Sequence, residues 1–309
     1  MLRICALIAI FATQSAGAQE SNSAEKLATD YAFLSLLTLT PDFSAADYKI
    51  DDAITPPVKI SIARLSFTFG QMELNNKTSM EFELSLGYQK TEETVPIVDQ
   101  PNEYVDSKWR SYGVSLGLLF GYRLGDHMML EPEIRAGAVR LANTARYYGD
   151  FANSVIKPAY DGTIFDWNTK ASVVSVGLGL IYDWQIVGRE SSVQAHVYHL
   201  NMASFDESNE VLEFNTDANM ASLKADAIIP TRATLFSGRL DAVLLGGSTV
   251  FLGENRRTLG FTALYEMGAG IEYPIKGDKF NFGHVRLSGL LMRGENVRGW
   301  KVSLDYNPK

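Results

Sequence analysis

The chain has 309 residues, 46% hydrophobic and 21% charged, with 28 basic and 36 acidic side chains for a net charge of −8. The acidic balance argues against a nucleic-acid binder, which needs a basic footprint for the phosphate backbone. Beyond the N-terminus no apolar run approaches the ~18 residues of a membrane-spanning helix, so helical spans are excluded as well.

Met1-Leu2-Arg3, an apolar run from Ile4 to Phe11 and the small residues Ala16-Gly17-Ala18 have the layout of a secretory signal peptide, expected over residues 1–18. The single cysteine, Cys5, lies within it, so the exported chain is expected to carry no disulfide. A short polar lead-in covers residues 19–29. With no linker or break in composition after it, residues 30–309 read as a single domain.

The first strand is expected over residues 31–39, with a helix over residues 24–39 as the alternative because Leu27, Tyr31 and Leu34 fall at helical spacing. Residues 40–57, with Pro41, Pro56 and Pro57, read as a loop. In the second strand Ile60 and Ile62 alternate, and Leu65, Phe67 and Phe69 take the opposite parity. A bulge near Ala63-Arg64 is expected to reconcile them. The third strand sets Met80, Phe82, Leu84, Leu86 and Tyr88 against Glu81, Glu83 and Ser85, and residues 90–107 read as a polar loop.

Tyr112, Val114, Leu116, Leu118, Phe120 and Tyr122 form the fourth strand. After the tight turn of residues 124–127, a fifth sets Met128, Leu130, Pro132, Ile134, Ala136 and Ala138 against Glu131, Glu133 and Arg135. Side chains of a strand alternate between faces, so this hairpin has one oily and one wet side. Long connections are expected over residues 143–169 and 204–220. Between and after them, alternation marks strands around Val174–Trp184, Val193–Val197, Leu223–Ile229 with Pro230 as its end, Phe236–Leu244, Phe261–Tyr273, Val285–Leu291 and Trp300–Tyr306.

These make an all-β chain: an antiparallel transmembrane β-barrel of about 12 strands, with short periplasmic turns and longer extracellular loops, in the bacterial outer membrane. Counted back from the C-terminus, the tight connections share one rim and the longest share the other. Aromatics fall at both rims as expected for membrane-interface girdles: Tyr122, Tyr182, Trp184, Tyr273, Phe280 and Tyr306 at the periplasmic end, Tyr88, Trp109, Tyr112 and Trp300 at the external end.

The alternation across the mature chain, Leu130-Glu131-Pro132 opening a strand, the run Gly177-Leu178-Gly179-Leu180 and the closing Gly299-Trp300-Lys301-Val302-Ser303-Leu304-Asp305-Tyr306 resemble the solitary outer-membrane autotransporter-like β-barrels. The resemblance implies a translocator-like barrel without a passenger, with a structural or pore-forming role. A small-solute porin is the alternative, and an outer-membrane lipid-modifying hydrolase a second one.

Candidate lumen-lining residues are Glu81, Glu83, Glu131, Glu133, Arg135, Asp183, Arg239, Glu266 and Arg286. They either line a cation-selective path or pair across strands to fill a small barrel, with inward glycines leaving room for them or for water. His196 and His199, beside Asp206, Glu207 and Ser208, are the one constellation with hydrolytic potential, but their opposite parity puts only one of them inside. No metal-ligand spacing appears, and neither cofactor nor catalytic residue is expected. Asp150 and Asp161 read as solvated loop charge, with divalent cations among lipopolysaccharide phosphates as the alternative. Expected partners are outer-membrane lipid, lipopolysaccharide and the barrel-insertion machinery, with no nucleic acid.

Overall fold

The computed structural model describes residues 44–51, 56–97, 100, 102–186, 188–209, 212–235, 238–253, 261–274 and 283–307, with side chains through residue 305. The expected leader, the lead-in and the strand over residues 31–39 lie outside the described residues.

Twelve antiparallel strands close into one barrel. In chain order they are β1 (Ser44–Ile50), β2 (Val58–Asn75), β3 (Thr78–Pro96), β4 (Tyr104–Arg123), β5 (Met128–Tyr148), β6 (Asn168–Ile186), β7 (Arg189–Glu207), β8 (Asn215–Leu235), β9 (Gly238–Leu252), β10 (Ala263–Pro274), β11 (His284–Gly294) and β12 (Val297–Asn307). Each strand pairs with its sequence neighbours, and β1 closes the ring between β12 and β2, with Ser44 opposite both Ser303 and Arg64. Closure leaves the sheet without an open edge, the condition for crossing hydrocarbon with strands.

Among the described residues the first strand thus falls where a loop was expected. Residues 44–50 alternate properly, but Ala46, Tyr48 and Ile50 face inward and are buried, while Ala45, Asp47 and Lys49 face out. A reading that takes the apolar side as the lipid side passes over such a strand. The same inversion explains β2. Its pairing to β3 is continuous from Lys59↔Glu92 to Phe69↔Phe82, so there is no bulge near Ala63-Arg64; the register shifts only beyond Phe69. Ile60 and Ile62 are buried inside, whereas Phe67 and Phe69 are exposed outside. One uninterrupted strand therefore changes its apolar side halfway along.

Pro230 likewise does not end β8, which runs on to Leu235 through a register shift between Pro230 and Thr234. A proline lacks the N–H that a ladder requires and is accommodated at such an irregularity. The long connections are shorter than expected, because β3 to β8 extend well past the membrane belt. β4 has 20 residues and β5 has 21, against the ~9–11 that suffice to cross a bilayer.

The belt itself is the outer wall. Tyr112, Val114, Leu116, Ile134, Val174, Val176, Leu178, Leu244 and Ile271 are exposed there, and Met267 and Leu291 are each 74% exposed. Buried Glu83, Glu133, Arg135, Asp241, Glu272 and Lys301 lie on the inner wall. Apolar outside and charged inside inverts the order of a water-soluble protein and fits a hydrocarbon surround.

Candidate functional site: the barrel interior

The interior has three layers. At the long-loop end it is an apolar plug. Inward positions of the extended strands, including Val105 and Trp109 on β4, Val139 and Leu141 on β5, Ala171 and Val173 on β6 and Leu200 and Met202 on β7, form one buried cluster. The β5–β6 connection folds into the same cluster. Its π-helical turn Ala152–Ile156 and the single α-helical turn Lys157–Tyr160 contribute Ala152, Ile156 and Tyr160, and Ile164, Phe165 and Trp167 follow. Trp109 and Trp167 meet edge to face at 4.8 Å, and Tyr147 meets Phe165 at 5.8 Å. Local hydrogen bonds hold the connection in place: Glu103 accepts from the N–H groups of Phe151 and Ala152, and Asp166 accepts from Ala145 N–H at 2.9 Å. Burial pushes the Tyr147 phenol up, with Asp161 and Asp166 adding to the effect, and burial also raises the Asp166 carboxyl.

Below the plug lies a layer of buried charge. Arg135, with a side chain 6% exposed, donates from Nη1 and Nη2 to Glu83 at 2.9 and 3.2 Å and from Nε and Nη2 to Glu133 at 3.2 and 3.1 Å. Ser85 adds a hydroxyl donor to Glu83 at 2.7 Å. The guanidinium reaches from β5 across β4 to β3, which requires a strand with nothing in the way. A Cβ on Gly117 would stand 2.9 Å from Arg135 Nη1. Gly177 makes the same allowance for Glu133 and Tyr198, and Gly179 for His196. The inward glycines are seats for charged and aromatic side chains.

Toward the tight-turn end the interior opens into a polar chamber of about 690 Å³, bounded by β6–β12 and including Asp183, Arg189, Lys224, Asp226, Glu266 and Arg286. Its charges are largely paired. Arg286 donates to Glu272 at 2.9 Å and to Asp226 at 3.4 Å, and Lys301 donates to Glu266 at 2.8 Å. Arg189 stands 2.6 Å from Asp241. A smaller recess of about 190 Å³ on the β2–β5 side includes Glu81 and Glu131 in its lining.

Of the nine lumen candidates, Glu83, Glu133 and Arg135 converge in the central layer, and Glu81 and Glu131 flank the smaller recess. Asp183, Glu266 and Arg286 line the chamber. Arg239 does not belong there: it is exposed near the turn and donates to the Thr231 carbonyl. Of the aromatic candidates, Tyr112, Tyr122, Tyr182 and Trp300 are exposed on the outer wall, Tyr88 meets Tyr112 at a tilt with centroids 5.1 Å apart, and Trp184 stacks on Tyr182 at 6.2 Å. Tyr273 is half-buried beside Gly238. Tyr306 pairs its backbone with Val285, and its side chain, like Phe280, lies outside the described residues.

Trp109 is a correction: it is buried in the plug, not placed in a girdle. It lies at odd parity with Ser111 and Ser115 on the inner wall, whereas Tyr112 is even, so the parity of its own strand held the signal. His196 lies inside, stacked on Tyr198 at 5.7 Å, and His199 lies outside, bonded to Asn219 at 2.9 Å. The cross-strand partners of His199 are Val176 and Asn219, and its outward neighbours along β7 are Val197 and Asn201, none of which is a nucleophile.

A family model described as a solitary outer membrane autotransporter β-barrel domain matches residues 42–308. The transport unit of the autotransporter AIDA-I from Escherichia coli superposes with a TM-score of 0.56 at 11% identity, covering 91% of this chain and 98% of that one. The translocator domain of NalP from Neisseria meningitidis gives 0.53 at 11% identity, covering 85% of each chain. The β domain of the Bordetella autotransporter BrkA gives 0.51 at 12% identity, covering 85% of this chain and 96% of that one. A search among curated proteins finds no match.

Proposed function

Because the chain belongs to the solitary outer-membrane autotransporter β-barrel domain family, we propose that it is a translocator-like outer-membrane barrel whose lumen is held shut at its external end and whose role is structural. The observation that carries this reading is the apolar plug in which Trp109 and Trp167 meet. Buried apolar side chains across the external mouth leave an ion no hydration and no polar lining there. The paired charges beneath it support a filled interior more than a selectivity path, since Arg135, Arg189, Arg286 and Lys301 are each already matched by an acid. We assign the barrel no catalytic step, in line with a family described as a β-barrel domain and with the absence of a hydroxyl neighbour to His199 at the positions paired with it or next to it on its face.

The reading includes export through a cleaved leader over residues 1–18. It also includes insertion by the barrel-assembly machinery, with lipid and lipopolysaccharide around the belt.

Planar-bilayer recording of the purified protein tests the reading. Wild-type protein is expected to show no steady open state, and Trp109→Ala/Trp167→Ala to show one. A steady wild-type conductance would favour the second reading, a small-solute channel, for which the 690 Å³ polar chamber speaks.

A further inference from the structure

The outer wall carries an uneven charge where the strands leave the belt at the long-loop end. On β3 the outward position after Tyr88 is Lys90, and on β4 the one before Tyr112 is Arg110. On β5 the one after Ala138 is Arg140, and on β6 Lys170 stands just beyond Ser172. Pairing sets Lys90 directly opposite Arg110, and Arg140 directly opposite Lys170. Arg110 faces Ala142, which makes it the diagonal neighbour of Arg140, within reach for long side chains.

Like charges directly opposite each other destabilise a strand pair. Lys90 is relieved by Glu92 at 2.8 Å and Lys170 by Asp206 at 2.5 Å. Among the described residues Arg110 and Arg140 make no ion pair, and both are exposed. At corresponding heights β7 and β8 present His199, Asn201, Asp217 and Asn219, so the basic arc ends at β6 in that direction; on the other side Lys49, Lys59 and Arg298 also face outward on β1, β2 and β12, where Asp51 pairs with Lys49 and Arg298.

We propose that Arg110 and Arg140, flanked by Lys90 and Lys170, hold the phosphates of one lipopolysaccharide headgroup against the barrel wall. Phosphate is the anion that an arginine fork grips through two parallel hydrogen bonds. The ligand is a membrane lipid because of where the arc sits: directly above Tyr88 and Tyr112, whose rings, 5.1 Å apart, form an interfacial floor on which acyl chains begin. A glycolipid standing in the outer leaflet brings its phosphates to that height. The assignment rests on the long loops facing outward, as in the reading above, but not on whether the lumen conducts.

The test is native mass spectrometry of the full barrel, refolded without lipid, titrated with diphosphorylated lipid A, with enzymatically dephosphorylated lipid A, and with inorganic phosphate as competitor. One lipid A per barrel is expected, bound about 30-fold more weakly by Arg110→Gln/Arg140→Gln, the product of two interfacial cations. The dephosphorylated lipid is expected to lose the preference, and millimolar phosphate not to displace the lipid. Unchanged affinity in the double variant, equal affinity for the dephosphorylated lipid, or ready displacement by free phosphate would each overturn the proposal. Heat-modifiable gel mobility reports folding. Should the double variant not fold, Arg140→Gln alone is expected to weaken binding about 5-fold, and no change would count equally against the site. Bilayer recording on the same variants separates the two readings, since the arc lies outside the lumen.

Discussion

Trp109 and Trp167 meet edge to face with ring centroids 4.8 Å apart and ring planes at 74°. One stands on a strand of the barrel wall and the other at the end of the β5–β6 connection, so their contact joins the wall to the segment that folds into its mouth. Trp167 also donates its indole N–H to the Ile164 carbonyl at 3.2 Å, which fixes the ring on its own chain.

Truncating either tryptophan should therefore loosen the mouth before the belt. Trp109→Ala is expected to cost ~3–5 kcal/mol, as a large aromatic lost from a packed core does. Hydrogen exchange should quicken across residues 149–167 while the β4 amides between Tyr112 and Tyr122 stay protected. Uniform loss of protection in both regions would contradict a plug separable from the belt.

Arg135 is held by two carboxylates, so removing the base and removing the acids should differ. Arg135→Met leaves Glu83 and Glu133 buried together, and is expected to cost ~3–5 kcal/mol. Adding Glu83→Gln and Glu133→Gln to it should recover part of that loss, because no unpaired charge then remains. Urea midpoints of the gel-mobility transition decide this; a triple variant less stable than Arg135→Met would refute it.

The barrel's glycines, on the inner wall and in the turns, are not interchangeable. A Cβ on Gly137 would stand 2.3 Å from the Val114 carbonyl oxygen and 2.9 Å from Ser115 Cα, both backbone atoms that cannot move aside without shifting the strand pair. A Cβ on Gly125 meets nothing within 4 Å. Gly137→Ala should lower folding yield in detergent, and Gly125→Ala should leave it unchanged; equal yields would contradict this.

Desolvation raises the Asp166 carboxyl above its ordinary value in the folded state. Stability from this group is present below the unfolded pKa of ~3.9 and is lost as pH rises through the raised folded value. Asp166→Asn, which keeps an acceptor for Ala145 N–H, should flatten the pH dependence of the plug's tryptophan fluorescence transition above ~pH 4. A wild-type transition independent of pH there would leave the effect without support.

The β4–β5 hairpin was fully legible in the sequence, because between Tyr112 and Ala138 lipid and lumen demand opposite chemistries on alternate residues. Above that height the demand reverses: water lies outside and a plug inside. Ile60 and Ile62 consequently suggested a bulge that does not exist, Trp109 resembled a girdle residue, and β1 passed for a loop. The central charges were legible as inward-facing residues, yet alternation alone could not disclose that Arg135 spans β4 to reach Glu83. That contact depends on the absent side chain of Gly117, a relation between three strands and not a property of one. Arg110 and Arg140 escaped notice because a charge on the outer wall above the belt resembles ordinary solvated charge until the register sets it beside another of the same sign.

The plug also bears on how the barrel comes to rest. Trp109, Val139, Leu141 and Val173 lie at or beyond the upper edge of the apolar belt, with Tyr112, Ala138 and Val174 marking that edge on the same strands. Side chains so placed gather only after the strand ends have crossed to the far side and water surrounds them, so the plug is the last part to assemble. Once gathered, it acts as a latch. Drawing a hairpin back through the bilayer would first require scattering that cluster into water, and the inserted state is consequently guarded by the rate of its undoing as much as by its depth.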